Sequence, residues 1–275
     1  MVLQHLMTGL PEDLVTFVRE LRAVRDRYRH VSITPVDIPC ASIRLAVVTG
    51  QPLLDLVAFT IAENQFSDLL DEMLATVRVQ RPLLEKQIDR IKIHLKQVDL
   101  AVLAFKGAID ENVYFRSLAQ DAAVSQELYH FLVNQAVRPF LVAFAREYAS
   151  RLDLTHWQRP YCPICGRFSD LSRLSGDEEG RHLVCIHCQS MWEYERLACP
   201  HCGNKEPEKL DYLSTEEYPG WQIHICQRCQ GYVKTVDSRQ AFINLSVLDE
   251  FDTLMLDIIA RKKGYLNERI GPILN

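Results

Sequence analysis

The chain has 275 residues, 48% of them hydrophobic and 24% charged, with a formal net charge of −5. Such a chain can bury a substantial core in one or two domains, and no stretch approaches the ~18 uninterrupted apolar residues of a spanning helix, so direct membrane insertion is not expected. The acidic balance extends to the cysteine-rich part, where residues 157–240 carry ten Lys or Arg against twelve Asp or Glu; without a basic face to neutralise phosphates, nucleic acid is disfavoured as a partner.

No charged-then-apolar signal peptide opens the chain, since Met1 to Leu10 is too short and too mixed to be one. From Pro11 to about Leu152 apolar residues recur with helical period. Leu14, Phe17, Val18, Leu21 and Val24 follow i, i+3, i+4, i+7 spacing behind Pro11, Glu12 and Asp13, a combination suited to a helix N-terminus. Cys40, isolated after Pro39, reads as a buried small apolar side chain. Phe66, Leu69, Leu70, Met73, Leu74 and Val77 form a second stripe. Leu84, Ile88, Ile91, Leu95 and Val98 form a third that runs on through Leu103 to the breaker Gly107. Leu128, Phe131 and Leu132 mark a helix ahead of Pro139, and Val137, Phe140, Leu141, Phe144 and Tyr148 mark another. Each stripe needs a partner face, which predicts a helical bundle over residues 1–158. His94 and His130 lie on these helices without a ligand set at coordinating spacing and read as satisfied or solvated histidines; nothing in the bundle looks catalytic.

After Arg159-Pro160 the period becomes that of strands. Arg181 to Val184, Met191 to Arg196, the alternating Trp221, Ile223 and Ile225, and Tyr232 to Asp237 are predicted strands within residues 159–240. Trp192, Tyr194 and Trp221 are expected to cover a hairpin core rather than stack on bases. Over residues 241–275, Val247, Leu248, Phe251, Met255, Ile258 and Ile259 restore helical spacing as far as Gly264; this closing helix could pack on the bundle or brace the strands.

Eight of the nine cysteines fall into four Cys-x-x-Cys pairs within 68 residues: Cys162/Cys165, Cys185/Cys188, Cys199/Cys202 and Cys226/Cys229. Each such turn presents two sulfurs to one point, and two turns close a tetrahedron of thiolates around zinc or iron. Nineteen residues separate Cys165 from Cys185 and twenty-three separate Cys202 from Cys226, close to zinc-ribbon spacing. Two metal ions per chain are expected, in sequential rather than interleaved sites, because each sequential pairing closes a local loop at low entropic cost. A disulfide scaffold belongs mainly to small secreted domains, and a thioredoxin-like motif needs its Cys-x-x-Cys at the start of a helix in a βαβ unit. His182, His187, His201 and His224 lie in the same region but are not expected to ligate where eight cysteines suffice. His187, His201 and Arg228 are expected on exposed knuckle tips facing a partner.

The overall expectation is an α+β chain: an N-terminal helical bundle, two tandem four-cysteine modules of rubredoxin-like or zinc-ribbon type, and a C-terminal helix. Helices followed by Tyr161-Cys-Pro-Ile-Cys-Gly166, Gly180-Arg-His-Leu-Val-Cys-Ile-His-Cys188, Trp192 to Arg196, Cys199-Pro-His-Cys-Gly203 and Cys226-Gln-Arg-Cys229 resemble the formate dehydrogenase accessory protein family, FdhE. Tyr232-Val-Lys-Thr-Val-Asp237 and Leu256-Asp-Ile-Ile-Ala-Arg-Lys-Lys-Gly-Tyr265 are similar to that family's closing strand and helix. Gln189 and Gln230 depart from the pattern, standing where such a knuckle often has Gly, so their turns must be strained or changed.

The resemblance implies a non-enzymatic cytoplasmic assembly factor that binds the catalytic subunit of respiratory formate dehydrogenase before twin-arginine export, with rubredoxin-like iron at all eight cysteines. Four thiolates accept zinc equally well, so ligand type alone does not choose. An iron redox protein or enzyme acting on the immature client is the competing function, and a nucleic-acid-binding zinc ribbon a third; two closed sites leave no open coordination position for catalysis.

Overall fold

The computed structural model describes residues 7, 9–175, 180–214, 216–240 and 250–267. Among them are the helices α1 (Glu12–Arg27), α2 (Cys40–Thr49), α3 (Glu63–Gln80), α4 (Glu85–His94), α5 (Leu100–Ala108), α6 (Asn112–Ala122), α7 (Gln126–Tyr148) and α8 (Leu254–Lys262). The strands are β1 (Leu171–Leu174), β2 (Arg181–Val184), β3 (Met191–Tyr194), β4 (Leu210–Ser214), β5 (Trp221–Cys226) and β6 (Tyr232–Asp237). The chain divides into two compact units. One comprises Pro11–Pro39 and Leu54–Arg151; the other comprises Met1–Leu10, Cys40–Leu53 and Leu152–Asn275.

The helical unit buries the stripes that the sequence displays: Phe17, Val18, Leu21 and Val24 in α1, and Phe66 through Val77 in α3. The stripe through Leu84 and Val98 is broken. Backbone at Val98 is extended, and the Asp99 carboxylate accepts the Val102 N–H at 3.0 Å, capping a new helix, α5. Gly107 is the penultimate residue of that helix, which ends at Ala108, within one residue of the expected stop. A Cβ there would lie 2.8 Å from Val133 Cγ1, so the glycine lets α5 approach α7 closely. Pro139 sits inside one continuous 23-residue helix, α7, not between two. An interior proline costs about 3 kcal/mol. Burying Val133, Val137, Phe140, Leu141 and Phe144 on the same helix, at about 1.5–3 kcal/mol each, outweighs it. Both histidines face a polar partner: His94 Nδ1 lies 3.1 Å from the Tyr129 hydroxyl and His130 Nε2 lies 2.7 Å from Asp110 Oδ1.

In the second unit the strands form one six-stranded sheet of order β3-β2-β1-β6-β5-β4. Each cysteine module contributes three antiparallel strands, and a parallel β1–β6 pair, Leu171 opposite Lys234 through Leu174 opposite Asp237, fuses the halves. Ser172 and Thr235 hydrogen-bond across this seam at 2.8 Å. The closing helix braces the strands: Leu256 and Ala260 of α8 join Leu171, Val184, Trp221, Ile223, Tyr232 and Val236 in one buried cluster. Of the residues read as that helix, Val247 and Leu248 lie outside the described residues. Trp192, Tyr194 and Trp221 are buried as hairpin cover. α2 belongs to this unit, and the loop that follows it holds the first knuckle: Leu53 N–H donates to the Pro163 carbonyl at 2.9 Å, and the Tyr161 hydroxyl donates to the Gly50 carbonyl at 2.7 Å. Cys40, expected to be buried, is exposed at the start of α2, where Ile43, Ala46 and Val47 supply the buried face instead.

Candidate metal centres

All four Cys-x-x-Cys turns are built alike. The N–H of each leading cysteine, Cys162, Cys185, Cys199 and Cys226, donates to the carbonyl five residues on, in Arg167, Ser190, Asn204 and Gly231, at 2.8–2.9 Å. The returning N–H of Gly166, Gln189 and Gly203 donates to the leading cysteine's carbonyl at 2.8–3.0 Å. Closing so tight a loop requires left-handed backbone one residue past the second cysteine, and Gly166, Gln189, Gly203 and Gln230 all adopt it, with φ of 74°, 64°, 72° and 56°. The two glutamines accept the strained turn. Gln230 partly offsets the strain with its own amide, which donates to the Gln227 carbonyl at 2.8 Å.

These turns face each other in sequential pairs. Cys162, Cys165, Cys185 and Cys188 form one four-sulfur group and Cys199, Cys202, Cys226 and Cys229 the other, the ligating atoms of each lying within 4.8 Å of one another. Cys162 and Cys188 sulfurs are 3.4 Å apart and those of Cys165 and Cys185 3.5 Å; in the second group the corresponding separations are 3.7 and 3.8 Å. A disulfide needs about 2.05 Å, whereas the edge of a tetrahedron with metal–sulfur bonds of about 2.3 Å is about 3.8 Å. All eight thiols are free, and each group could hold one metal ion.

Electrostatics agree with that donor set. Burial pushes the Cys162 thiol far up, while hydrogen bonds from Cys162, Cys165 and Cys188 pull Cys185 well down. In the second group burial raises Cys199 strongly and Cys229 to about 11. Four such thiols cannot all ionise side by side unless a cation neutralises them.

The two groups differ in access. Every cysteine of the first is buried; in the second Cys199 and Cys226 are buried but Cys202 and Cys229 are exposed. The histidines stay out of both groups. His187 and His201, expected on exposed tips, are half-buried and turn inward. The His187 ring nitrogens lie 3.3 Å from Arg167 Nη1, and His201 Nε2 lies 2.8 Å from the Tyr232 carbonyl oxygen. Gly231 makes room for the latter ring, since a Cβ there would fall 2.9 Å from His201 Cδ2 and 3.2 Å from Cys229 Sγ. Only Arg228 of the three is exposed.

Sequence reading missed a buried polar group in the same unit. Lys234 Nζ in β6 lies 2.8 Å from Asp170 and 3.0 Å from Asp257 of α8, and the Tyr232 hydroxyl donates to Asp257 at 2.7 Å. The two carboxylates push the Lys234 ammonium up against the effect of its burial, so it stays charged. The missed signal was a lone lysine inside an otherwise uncharged strand stretch, Tyr232 to Val236.

No family model matches the chain. An FdhE homologue of Aquifex aeolicus is 29% identical over 146 residues, 52% of this chain and 51% of that protein. One of Stutzerimonas stutzeri is 34% identical over 147 residues, 47% and 46% of the two chains. These alignments span about half the length of either relative, whereas the Yersinia enterocolitica homologue aligns at 24% identity over 99% of this chain and 85% of its own. The crystal structure of the FdhE protein from Pseudomonas aeruginosa shares the fold, with a TM-score of 0.61 at 21% identity across 99% of this chain and 93% of that one. With its cysteine motifs gathered as described, the chain is similar in sequence to these FdhE proteins and shares the fold of the Pseudomonas aeruginosa one.

Proposed function

We propose that the protein is a formate dehydrogenase accessory protein: a cytoplasmic assembly factor, not an enzyme, that binds the catalytic subunit of respiratory formate dehydrogenase before twin-arginine export. Cys162, Cys165, Cys185 and Cys188 hold one metal ion in this reading, and Cys199, Cys202, Cys226 and Cys229 a second. Family resemblance favours iron; zinc fits the same four sulfurs. Within residues 1–158, Pro11–Pro39 and Leu54–Arg151 act as the helical body; 159–240 act as the metal modules, supported by α2, and 241–275 as their brace and tail.

The observation that carries the reading is the pair of closed four-sulfur groups, each of which uses a full tetrahedral set and leaves no position for substrate. A metal bound there fixes turns and, if it is iron, can pass one electron. Among the described residues no helix is long and apolar enough to cross a membrane, which agrees with a client met before export. Turns fixed by metal lose little entropy on binding a client, so the knuckle face, with exposed Arg228, is the contact surface in this reading.

Metal analysis combined with pull-down from formate-grown cells tests it. The expected outcome is about two ions per chain and capture of the formate dehydrogenase catalytic subunit. Capture that persists undiminished after Cys199 and Cys202 are both changed to Ser would move recognition to the helices. Turnover of the client's metal or thiols by the purified protein would favour the redox alternative.

A further inference from the structure

Arg181, at the start of β2, is only 3% exposed. Its Nη1 donates to the Ala198 carbonyl at 3.2 Å, one residue before the ligand Cys199. Nε and Nη2 are buried with no hydrogen-bond acceptor, and no carboxylate pairs with the guanidinium among the described residues. That is an unusual state for a buried cation, because a charge taken out of water normally persists only where an opposite charge compensates it.

The surroundings indicate where the compensation lies. Arg181, Cys199 and Cys226 line the same cavity of about 310 Å³, together with apolar Leu174, Leu210 and Ile225 and with Arg196, Asp211, Gln222, His224 and Arg239, none of which pairs with the Arg181 guanidinium among the described residues. Burial draws the guanidinium down to about 10, and the groups that act in the opposite sense are the Tyr194 phenol and the Cys199 thiol. Four thiolates around a divalent ion carry a net charge of minus two, and around a ferric ion minus one. Either is an anion that can answer the buried cation across the cavity wall, without a hydrogen bond between them.

We propose that Arg181 is the counter-charge of the second four-sulfur centre: a positioning residue from the first cysteine module that raises the metal affinity of the second. The inference rests on the reading of that group as a metal site. It gives the centre with exposed Cys202 and Cys229 an anchor beneath its buried side, and it makes the affinity of one module depend on a side chain of the other.

Cobalt(II) loading of the full-length protein followed by chelator competition, read by sulfur-to-cobalt charge-transfer absorption and native mass spectrometry, tests this. The Cys199→Ser/Cys202→Ser variant assigns the phase of the second centre. Wild type should hold two ions. Arg181→Met and Arg181→Gln should weaken the second centre by about 10–100-fold and leave the first within about twofold, so that the first centre reports on folding in the same molecule. Arg181→Lys, which keeps the charge, should restore most of the affinity. Equal affinity in the neutral variants and wild type overturns the counter-charge role while leaving two metal sites intact. Equal weakening by Met, Gln and Lys also overturns it and assigns Arg181 to packing. A wild-type protein that binds no ion at the second group overturns the metal reading itself.

Discussion

Lys234 and Asp257 meet at 3.0 Å where their side chains are 2% and 10% exposed, joining β6 to α8 through a charged pair inside an apolar cluster. Asp170, just before β1, closes on the same ammonium at 2.8 Å, so three separate stretches of chain converge on one cation. Replacing Lys234 with Met would strand two buried carboxylates. The expected loss is about 3–5 kcal/mol, read as a lower denaturation midpoint of the sheet unit by tryptophan fluorescence. Adding Asp170→Asn and Asp257→Asn should recover part of it; a triple variant no better than the single would show that the carboxylates were not the burden.

In the helical unit Glu72 of α3 accepts hydrogen bonds from Arg27 and, at 2.7 Å, from the Tyr28 hydroxyl, and these hold its carboxyl below the usual range. A carboxyl depressed on folding adds stability above its unfolded value of about 4.3 and loses it as pH falls through the folded value. Glu72→Gln should therefore be less stable than wild type at neutral pH, by no more than about 1 kcal/mol for so exposed a pair. The gap should shrink steadily below about pH 4. A gap of constant size from pH 7 to 3 would exclude the linkage.

Gly231→Ala places a methyl against the His201 ring and Cys229 Sγ. Overpacking of this kind costs about 1–3 kcal/mol, and it should fall on the second centre alone. Metal retention at Cys162, Cys165, Cys185 and Cys188 should stay unchanged when measured site by site. By contrast, Gln189→Gly and Gln230→Gly relieve left-handed backbone and should raise stability by up to about 1 kcal/mol.

Chelator release should occur in two phases. The second centre, with Cys202 and Cys229 exposed, should empty first and the fully buried first centre later. Among the eight knuckle thiols, Cys202 and Cys229 should be alkylated first, after the exposed Cys40, which belongs to neither group. Simultaneous release would show that the sheet opens as one piece.

Long amphipathic stripes and the cysteine spacing were legible in the sequence because each repeats one physical rule several times. The stripes of α1 and α3, the pairing of the four knuckles and the strand Tyr232–Asp237 all emerge from it. Features that depend on a distant partner did not. Pro139 looks like a breaker locally, and only the packing of α7 against its neighbours makes it a helix residue. α6 displayed Phe115, Leu118, Ala119 and Ala122 at helical spacing, a signal hidden by its small residues. β4 is exposed or half-exposed throughout and so carries little hydrophobic pattern. The inward turn of His201 depends on Gly231, thirty residues away, and the burial of Lys234 on carboxylates from both ends of the module.

The parallel β1–β6 seam fixes an order of events during synthesis. Cys188 leaves the ribosome before Cys199, so the first four sulfurs are complete while the second set is still unmade. β1, however, keeps one edge open until residues 232–237 emerge, and α8 can cover the sheet only after that. The join thus comes late, between two halves already shaped by their own cysteines and ahead only of α8, and a chain in which the second half fails presents an unpaired β1 edge open to premature association.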